Sequence, residues 1–213
     1  MHPSIRLLVL AALAASAAAQ AQTFTGLTLK AGVIRYAPDA QTSGITGIGI
    51  PPGADATVGS ANTPLFTVDY DLGRNVSVEL ILGVPPTIKA TASGSVAFLG
   101  EVLTAKNFAP TLLFNYHFGA ASNMVRPYIG IGINWTQFKD AKSPYGWDVS
   151  LNDSTGVAAA IGVDIAFDKN WGMFASYGRA DVKSDLVAVG ATVIRTTIDF
   201  RPSTYSIGGF YRF

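Results

Sequence analysis

Hydrophobic and polar residues alternate along most of the chain after about residue 22. The clearest case places Phe114 and Tyr116 on one face of the segment and Asn115 on the other. A repeat of two residues is that of a β-strand, whose successive side chains point to opposite faces. The pattern therefore predicts an all-β protein, and each strand should have one apolar and one mixed face.

Eight alternating segments are present, and short turns alternate with long loops between them. Seven strands are predicted at about residues 23–36, 62–71, 76–92, 102–118, 125–138, 155–167 and 171–187, and the eighth ends at residue 213. Short turns are predicted at 73–75, 119–123 and 168–170, and the long loops include 38–61, 94–100 and a polar loop with Trp147 and Asp153. Long alternating strands with this order of connections are typical of an eight-stranded antiparallel transmembrane β-barrel. Residues 22–213 would form this one domain, with three periplasmic turns and four extracellular loops.

The last strand carries aromatic residues to its final position. Tyr205, Ile207, Tyr211 and Phe213 share one face, and Arg212 lies on the other. A soluble domain usually ends in a polar, frayed tail. We expect the first four residues to face lipid and to form the assembly signal read from the periplasm. Arg212 should point inward and pair with Glu79 or Asp69.

Aromatic residues also gather at both ends of the predicted strands, as at the two interfaces of a membrane. The periplasmic ends carry Tyr70, Phe118, Phe167, Trp171, Tyr211 and Phe213, and the opposite ends carry Trp135, Phe138 and Tyr36. A soluble lipocalin-like barrel would show the same alternation with its apolar face turned inward. The two aromatic belts favour lipid on the outside.

The start of the chain and its composition agree with export. Arg6 precedes an uncharged apolar run, and Ala19-Gln20-Ala21 fits a small-x-small cleavage site, so residues 1–21 are predicted to be a cleaved signal peptide. Charged residues make up only 14% of the chain, against about 25% in average soluble domains. The net charge of +1 gives no indication of nucleic-acid binding, and the absence of cysteine excludes disulfides and a thiol nucleophile. The predicted location is the bacterial outer membrane.

Several charged residues fall on the inward faces near the periplasmic end. This predicted lumen cluster consists of Lys30, Asp69, Glu79, His117, Asp164 and Arg212. Both signs of charge are present, and unpaired charges are costly in a low-dielectric interior. We expect a paired cluster that blocks straight passage of an apolar solute, although such pairs also simply fill many small barrels.

Three prolines fall at similar heights on the neighbouring third and fourth strands. Pro85 and Pro86 lie about ten residues beyond the first turn, and Pro110 lies about nine residues before the second turn's first residue. With about 3.3 Å per residue and a tilt of about 40°, this height is roughly 25 Å, the top of the apolar band. Proline donates no ladder hydrogen bond. The prolines either mark where the strands leave the membrane or leave a lateral opening between them.

Residues 126–136, Arg-Pro-Tyr-Ile-Gly-Ile-Gly-Ile-Asn-Trp-Thr, resemble the RPYxGxGxNYT stretch of the OmpW family of small outer-membrane proteins. Further similar segments follow in family order: Pro110-Thr111-Leu112, 116–119, 162–164, Asn170-Trp171 and 211–213. Ala109 replaces the first proline of the family's usual pair, and Trp135 replaces a tyrosine. The resemblance implies an eight-stranded barrel with a largely apolar lumen, associated with passage of small hydrophobic molecules across the outer membrane.

The expected function is therefore passive uptake of a small hydrophobic solute with lateral release into the membrane. The alternative is a structural or adhesive barrel that acts through exposed loop residues such as Tyr145, Trp147 and 45–50. A lipid-modifying enzyme is disfavoured, because His117 is the only histidine left after signal removal and no Gly-x-Ser-x-Gly motif is present. We expect no catalytic residues, cofactor or metal. The expected partners are outer-membrane lipids, lipopolysaccharide, the solute and the barrel-assembly machinery.

Overall fold

The computed structural model describes residues 26–190 and 193–213, and it consists almost entirely of β-strands. The predicted signal peptide lies outside these residues. One short 3₁₀-helix, Ala97–Leu99, is present in the described part. The strands are β1 Leu27–Ala37, β2 Gln41–Thr42, β3 Ala54–Val58, β4 Ala61–Gly73, β5 Val76–Gly83, β6 Thr87–Gly94, β7 Glu101–Phe108, β8 Thr111–His117, β9 Val125–Lys142, β10 Asp148–Leu151, β11 Ser154–Ala166, β12 Trp171–Ala180, β13 Lys183–Val189, β14 Val193–Asp199 and β15 Ser203–Arg212.

Eight of these strands close an antiparallel barrel, which confirms the predicted fold class. Their order is β1-β4-β5-β8-β9-β11-β12-β15, and β15 returns to β1. The closing ladder runs from Thr28 opposite Arg212 to Ala37 opposite Ser203. Because a closed barrel has no edge, every strand has a hydrogen-bonded neighbour on each side, as a bilayer requires.

The alternation of the sequence becomes the inside and the outside of the barrel. In β9, Ile129, Ile131 and Ile133 are exposed, whereas Tyr128 and Asn134 are buried. The closing strand follows the same rule: Tyr205 and Ile207 are exposed on the outer surface, whereas Phe210 is buried. Large apolar side chains therefore cover the exterior, where an aqueous surface would expose polar residues.

The long connections, at the end of the barrel that the sequence predicts to be extracellular, are more ordered than the sequence indicated. The segment expected to be one loop, 38–61, contains β2 and β3, and the polar loop with Trp147 and Asp153 contains β10. Short strands β10, β13, β14 and β2 form a separate four-stranded sheet. The expected third, fourth and seventh strands are each interrupted, near Pro85, near Pro110 and at Asp181. The short strands β2, β3 and β10 were not predicted, because their segments show little alternation. Their stability comes from neighbours distant in sequence.

The prediction of the aromatic belt formed by Trp135, Phe138 and Tyr36 was partly wrong. Tyr70, Phe118, Phe167 and Trp171 are exposed at the periplasmic end, and Trp135 is exposed at the other end. Tyr36, however, is buried in a core cluster, and Phe138 packs against that cluster with its ring stacked 5.1 Å from the ring of Phe200. Tyr36 occupies an inward position of β1, so its parity already excluded it from the lipid face.

The turns at the opposite end, which the sequence predicts to be periplasmic, are tight and fixed by local hydrogen bonds. Arg74 and Asn75 adopt positive φ angles of 53° and 66° in the first turn. In the turn before β12, the carboxylate of Asp168 accepts hydrogen bonds from the backbone N–H groups of Asn170 and Trp171 at 2.8 and 2.7 Å. The hydrogen bond from Trp171 lowers the pKa of Asp168 most, and the bond from Asn170 lowers it further. No helix among the described residues is long and apolar enough to span a bilayer.

Candidate functional site

The buried amine of Lys30 lies among three carboxylates in the periplasmic half of the lumen. Its Nζ atom is 3.2 Å from Asp164 Oδ1, 3.3 Å from Glu79 Oε1 and 3.9 Å from Asp69 Oδ2. Lys30 comes from β1, Asp69 from β4, Glu79 from β5 and Asp164 from β11, so the group spans the barrel. All four residues are buried. They form one layer across the lumen. We call this layer, together with the residues that hydrogen-bond to it, the polar plug.

Neutral polar side chains complete the plug. Asn115 Nδ2 donates a hydrogen bond of 2.6 Å to Glu79 Oε2, and Ser77 Oγ donates one of 3.2 Å to Asp69 Oδ2. His117 Nε2 lies 3.0 Å from Ser77 Oγ. The rings of Tyr128 and Phe174 lie 5.0 and 5.4 Å from Lys30 Nζ and cover the ammonium with their faces. These contacts offset part of the desolvation of the charges.

Arg212 does not form the ion pair expected from the sequence. Among the described residues, no salt bridge joins it to Glu79 or Asp69, and Lys30 takes that place instead. The guanidinium of Arg212 lies over the ring of Phe210 at 5.5 Å. It lines a small pocket of about 40 Å³ below the plug, together with Asp71 and Arg126. Arg212 is near the end of its strand and partly exposed, so it sits outside the plug rather than within it.

The sequence interpretation missed Arg126 as a member of this region. Arg126 is buried, and its Nε and Nη2 atoms have no hydrogen-bond partner among the residues that the structure describes. It faces Asp164 across the β9–β11 ladder. Counting back by twos from the inward residue Tyr128 reaches Arg126, so parity could have found it.

Ser77, His117 and Asp164 are the residue types of a hydrolytic triad, but their geometry does not complete one. His117 Nδ1 is 4.0 Å from Asp164 Oδ2, longer than a hydrogen bond, and Ser77 also contacts Asp69. Ser77 is buried within the plug. Across residues 26–190 and 193–213, no group of three or more acidic, histidine or cysteine side chains could hold a metal ion.

A cavity of about 110 Å³ lies in the middle of the barrel, on the extracellular side of the plug. Its wall is mainly apolar and includes Ile34, Leu65, Ile81, Leu113 and Ala158. Threonine, serine and asparagine side chains and Arg179 also line it, and two of them, Asn134 and Thr136, hydrogen-bond to each other at 2.7 Å. An apolar pocket with a few placed polar groups is the usual form of a site for a small apolar ligand.

A second cavity, of about 90 Å³, lies between the extracellular strands and has a wholly apolar lining. Ile45, Ile50, Leu99, Val102 and Trp147 contribute to it. A packed layer separates the two cavities: Tyr36, Ile88, Ala105, Val182, Ile198 and Phe200. No periodic pattern in the sequence predicts this layer, because its members come from six strands and loops that only the fold brings together.

The wall of the middle cavity reaches the two segments that carry the three prolines, although only Pro86 itself lines it. Val84, Pro86 and Ala109 line the cavity. The β5–β8 ladder ends at Ile81 opposite Thr111, and the β6–β7 ladder begins at Thr87 opposite Lys106. Between these pairs, the Asn107 N–H donates to the Pro86 carbonyl at 3.0 Å. We call this interruption of the ladder the proline seam.

Proline alone does not interrupt a ladder in this barrel. Pro64 and Pro127 keep their places inside β4 and β9, with partners on the neighbouring strands. On its outer sides the seam is also bonded, because Val84 N donates to Pro64 O at 3.1 Å and Trp135 N donates to Pro110 O at 2.9 Å. The interruption is thus confined to the contact between the two proline-bearing segments.

An eight-stranded barrel with an apolar exterior, an aromatic girdle and a plugged apolar lumen is a bacterial outer-membrane protein. The model of the OmpW family matches residues 25–213. The chain belongs to the OmpW family.

Known proteins agree in sequence and in structure. Outer membrane protein W of Vibrio cholerae is 32% identical over 164 residues, which cover 72% of this chain and 75% of that protein. The crystal structure of the outer membrane protein OprG from Pseudomonas aeruginosa superposes with a TM-score of 0.83 and 26% identity, covering 89% of this chain and 96% of that one. The dibenzothiophene metabolism operon protein DoxH of Pseudomonas sp. (strain C18) is 29% identical over 135 residues, 63% of each protein.

Proposed function

We propose that this protein is a channel for the passive uptake of small hydrophobic molecules across the outer membrane. The observation that carries the proposal is the apolar cavity of about 110 Å³ on the extracellular side of a charged plug. An apolar solute gains free energy by leaving water for such a cavity, at roughly 25 cal/mol per Å² of buried apolar surface. Most of the surface that the cavity offers is apolar, so the selection would be mainly for hydrophobicity.

The plug makes straight passage to the periplasm unfavourable. A solute that crossed it would have to part Lys30 from Asp164, Glu79 and Asp69 without offering hydrogen bonds in return. Leaving buried charges unpaired costs several kcal/mol. The solute therefore leaves sideways into the lipid, through the proline seam that the cavity touches at Val84 and Pro86.

A relative supports the class of solute. The name of DoxH places that protein in an operon for the metabolism of dibenzothiophene, an apolar aromatic compound. Uptake of such compounds by this chain would fit the apolar lining of both cavities. Export would use the signal peptide at 1–21, and the outward residues Tyr205, Ile207, Tyr211 and Phe213 would present the closing strand to the barrel-assembly machinery.

The lateral route is tested by restoring hydrogen-bond donors at the seam. Pro85, Pro86 and Pro110 are replaced by valine, and uptake of an apolar aromatic solute into liposomes is measured. We expect uptake to fall severalfold, because valine can complete the ladder and close the wall. The control is Pro127→Val, which changes a proline inside an intact ladder. Unchanged uptake by a correctly folded triple variant would contradict lateral release.

The alternative function is adhesion through the extracellular loops. Two loop side chains favour it, since Ile48 and Phe98 are 89% and 83% exposed. Deletion of these loops with retention of the barrel separates the two functions. If the loop-deleted variant loses surface binding and the intact protein transports no solute, adhesion would replace the channel proposal.

A further inference from the structure

Four lysines lie together on the outer surface just beyond the membrane-facing band. Lys89 is on β6, Lys106 on β7, and Lys139 and Lys142 are on β9. All four are exposed. They form one patch of positive charge, which we call the lysine face.

The strand register sets the size of this face. Lys106 is directly opposite Lys139, and Thr104 is directly opposite both Lys89 and Lys142. Neighbouring strands are about 4.8 Å apart and the two rows are separated by about 7 Å along the strands, so the four Cα atoms fall within roughly 10 by 7 Å. Four ammonium groups on such an area can all reach one phosphorylated head group.

The face lies at the height of the lipid head groups. Trp135, four residues before Lys139 on β9, is exposed and ends the outward row of isoleucines at Ile133. With the rise and tilt of a barrel strand, Lys139 stands about 10 Å beyond Trp135 along the membrane normal. Tryptophan belongs at the interface between the hydrocarbon and the head groups.

Two acidic residues share the face, but their ion pairs are open to exchange. Lys89 Nζ is 2.8 Å from Glu101 Oε2, and Lys106 Nζ is 2.7 Å from Asp140 Oδ2, with all four side chains at least 40% exposed. Exposed pairs of this kind contribute about 0–1 kcal/mol, so a phosphate can compete with them. Four positive and two negative charges leave a net charge of +2.

The opposite side of the extracellular region provides a contrast. On β13 and β14 the outward charges are Lys183 and Arg195 against Asp185 and Asp199, which sum to zero. The positive surplus is therefore found on the strands above the proline seam and not on β13 and β14. Lys106 is four residues from Pro110, and its partner Thr87 follows Pro86 directly.

We propose that the lysine face binds the phosphates of lipid A, the lipid anchor of lipopolysaccharide in the outer leaflet. The inference rests on the membrane placement used for the proposed function, and it names where that lipid would be held. Lipid A combines acyl chains, which fit the isoleucine row below Trp135, with phosphates at head-group height. The bound lipid would stand directly over the proline seam.

The test is a titration of the purified barrel in nonionic detergent with bis-phosphorylated lipid A, followed by native mass spectrometry. The variant Lys106→Gln/Lys139→Gln removes two charges from the face. A basic side chain at an anionic lipid surface contributes about fivefold to affinity, so we expect a loss of about 25-fold. The control Lys183→Gln/Arg195→Gln removes two charges from the opposite side and should change affinity less than about twofold.

Three further arms of the titration complete the test. Dephosphorylated lipid A should bind the wild type and the Lys106→Gln/Lys139→Gln variant equally weakly, and inorganic phosphate at equal concentration should displace no lipid. Equal loss in the two double variants would overturn the lysine face, and displacement by inorganic phosphate would overturn lipid A as its ligand. The titration contains no transported solute, so a negative result would not contradict the proposed uptake. A barrel that shows no uptake can still bind lipid A in this titration.

Discussion

At the scale of single residues, Lys30 has the largest structural role in the lumen. It is 2% exposed and is the cation common to the three plug carboxylates. A buried ion pair adds little net stability over apolar packing, but removing one partner leaves the others charged and desolvated. Asp69, Glu79 and Asp164 therefore occur together with Lys30 because all three carboxylates depend on its amine as their countercharge.

We expect Lys30→Met to lower the free energy of unfolding in detergent by about 3–5 kcal/mol, because Asp69, Glu79 and Asp164 would then lack a countercharge. Chemical denaturation followed by far-UV circular dichroism measures the difference. Lys183→Met is the matched control, since Lys183 forms an exposed pair with Asp199 at 3.8 Å and should cost no more than about 1 kcal/mol. Equal effects of the two variants would show that the plug does not depend on Lys30.

At the scale of elements, the closing ladder between β1 and β15 depends on two opposed glycines. Gly32 lies directly opposite Gly208, and both face inward. A Cβ atom added at Gly208 would collide with backbone atoms of Ala31 and Gly32. The adjacent residue Gly209 faces outward, and a Cβ there would meet only the Gly172 carbonyl at 3.6 Å. The strands thus approach each other closely on the lumen side alone.

Gly208→Ala should destabilise the closed barrel by about 1–3 kcal/mol, since backbone atoms must shift to accept the methyl group. Gly209→Ala, one residue along the same strand, should be nearly neutral. The fraction that keeps its compact, heat-modifiable migration on a denaturing gel reports closure for both variants. Equal stability of the two would mean that the close approach is unimportant.

At the scale of the whole molecule, two apolar cavities lie in series with a packed layer between them. Phe200 is only 1% exposed and occupies this layer, where it also lines a small gap of about 10 Å³ with Ile198. Tyr36 and Val182 border the cavity on the membrane side of the layer, and Ile198 borders the one on the extracellular side. In the proposed uptake route, a solute captured outside would have to displace this layer to reach the proline seam.

Phe200→Ala should raise the rate of apolar solute uptake into liposomes severalfold, because it removes one of the two aromatic side chains of the layer. The same change should cost stability, by about 3–5 kcal/mol as for other buried phenylalanines, so folding is checked first. Phe98→Ala changes an exposed loop phenylalanine and should leave uptake unaltered. If the two variants transport equally, the layer does not limit the rate.

The sequence alone determined the barrel and most of the plug. An alternation of two residues divides the side chains of each strand between two faces, and the aromatic belts indicated which face meets lipid. Together they placed Lys30, Asp69, Glu79, His117 and Asp164 inside before any contact was known. The expected outer strands at the extracellular end were incomplete, because short strands such as β2 and β10 carry too few residues to show a period.

Only the tertiary structure decided which inward residues meet. Pairing depends on register and on height across the barrel, so Lys30 rather than Arg212 contacts Glu79. Register also sets Lys106 beside Lys139, and closure brings Tyr36, Val182 and Phe200 into one layer. These are contacts between residues far apart in the chain, and a local pattern carries no record of them.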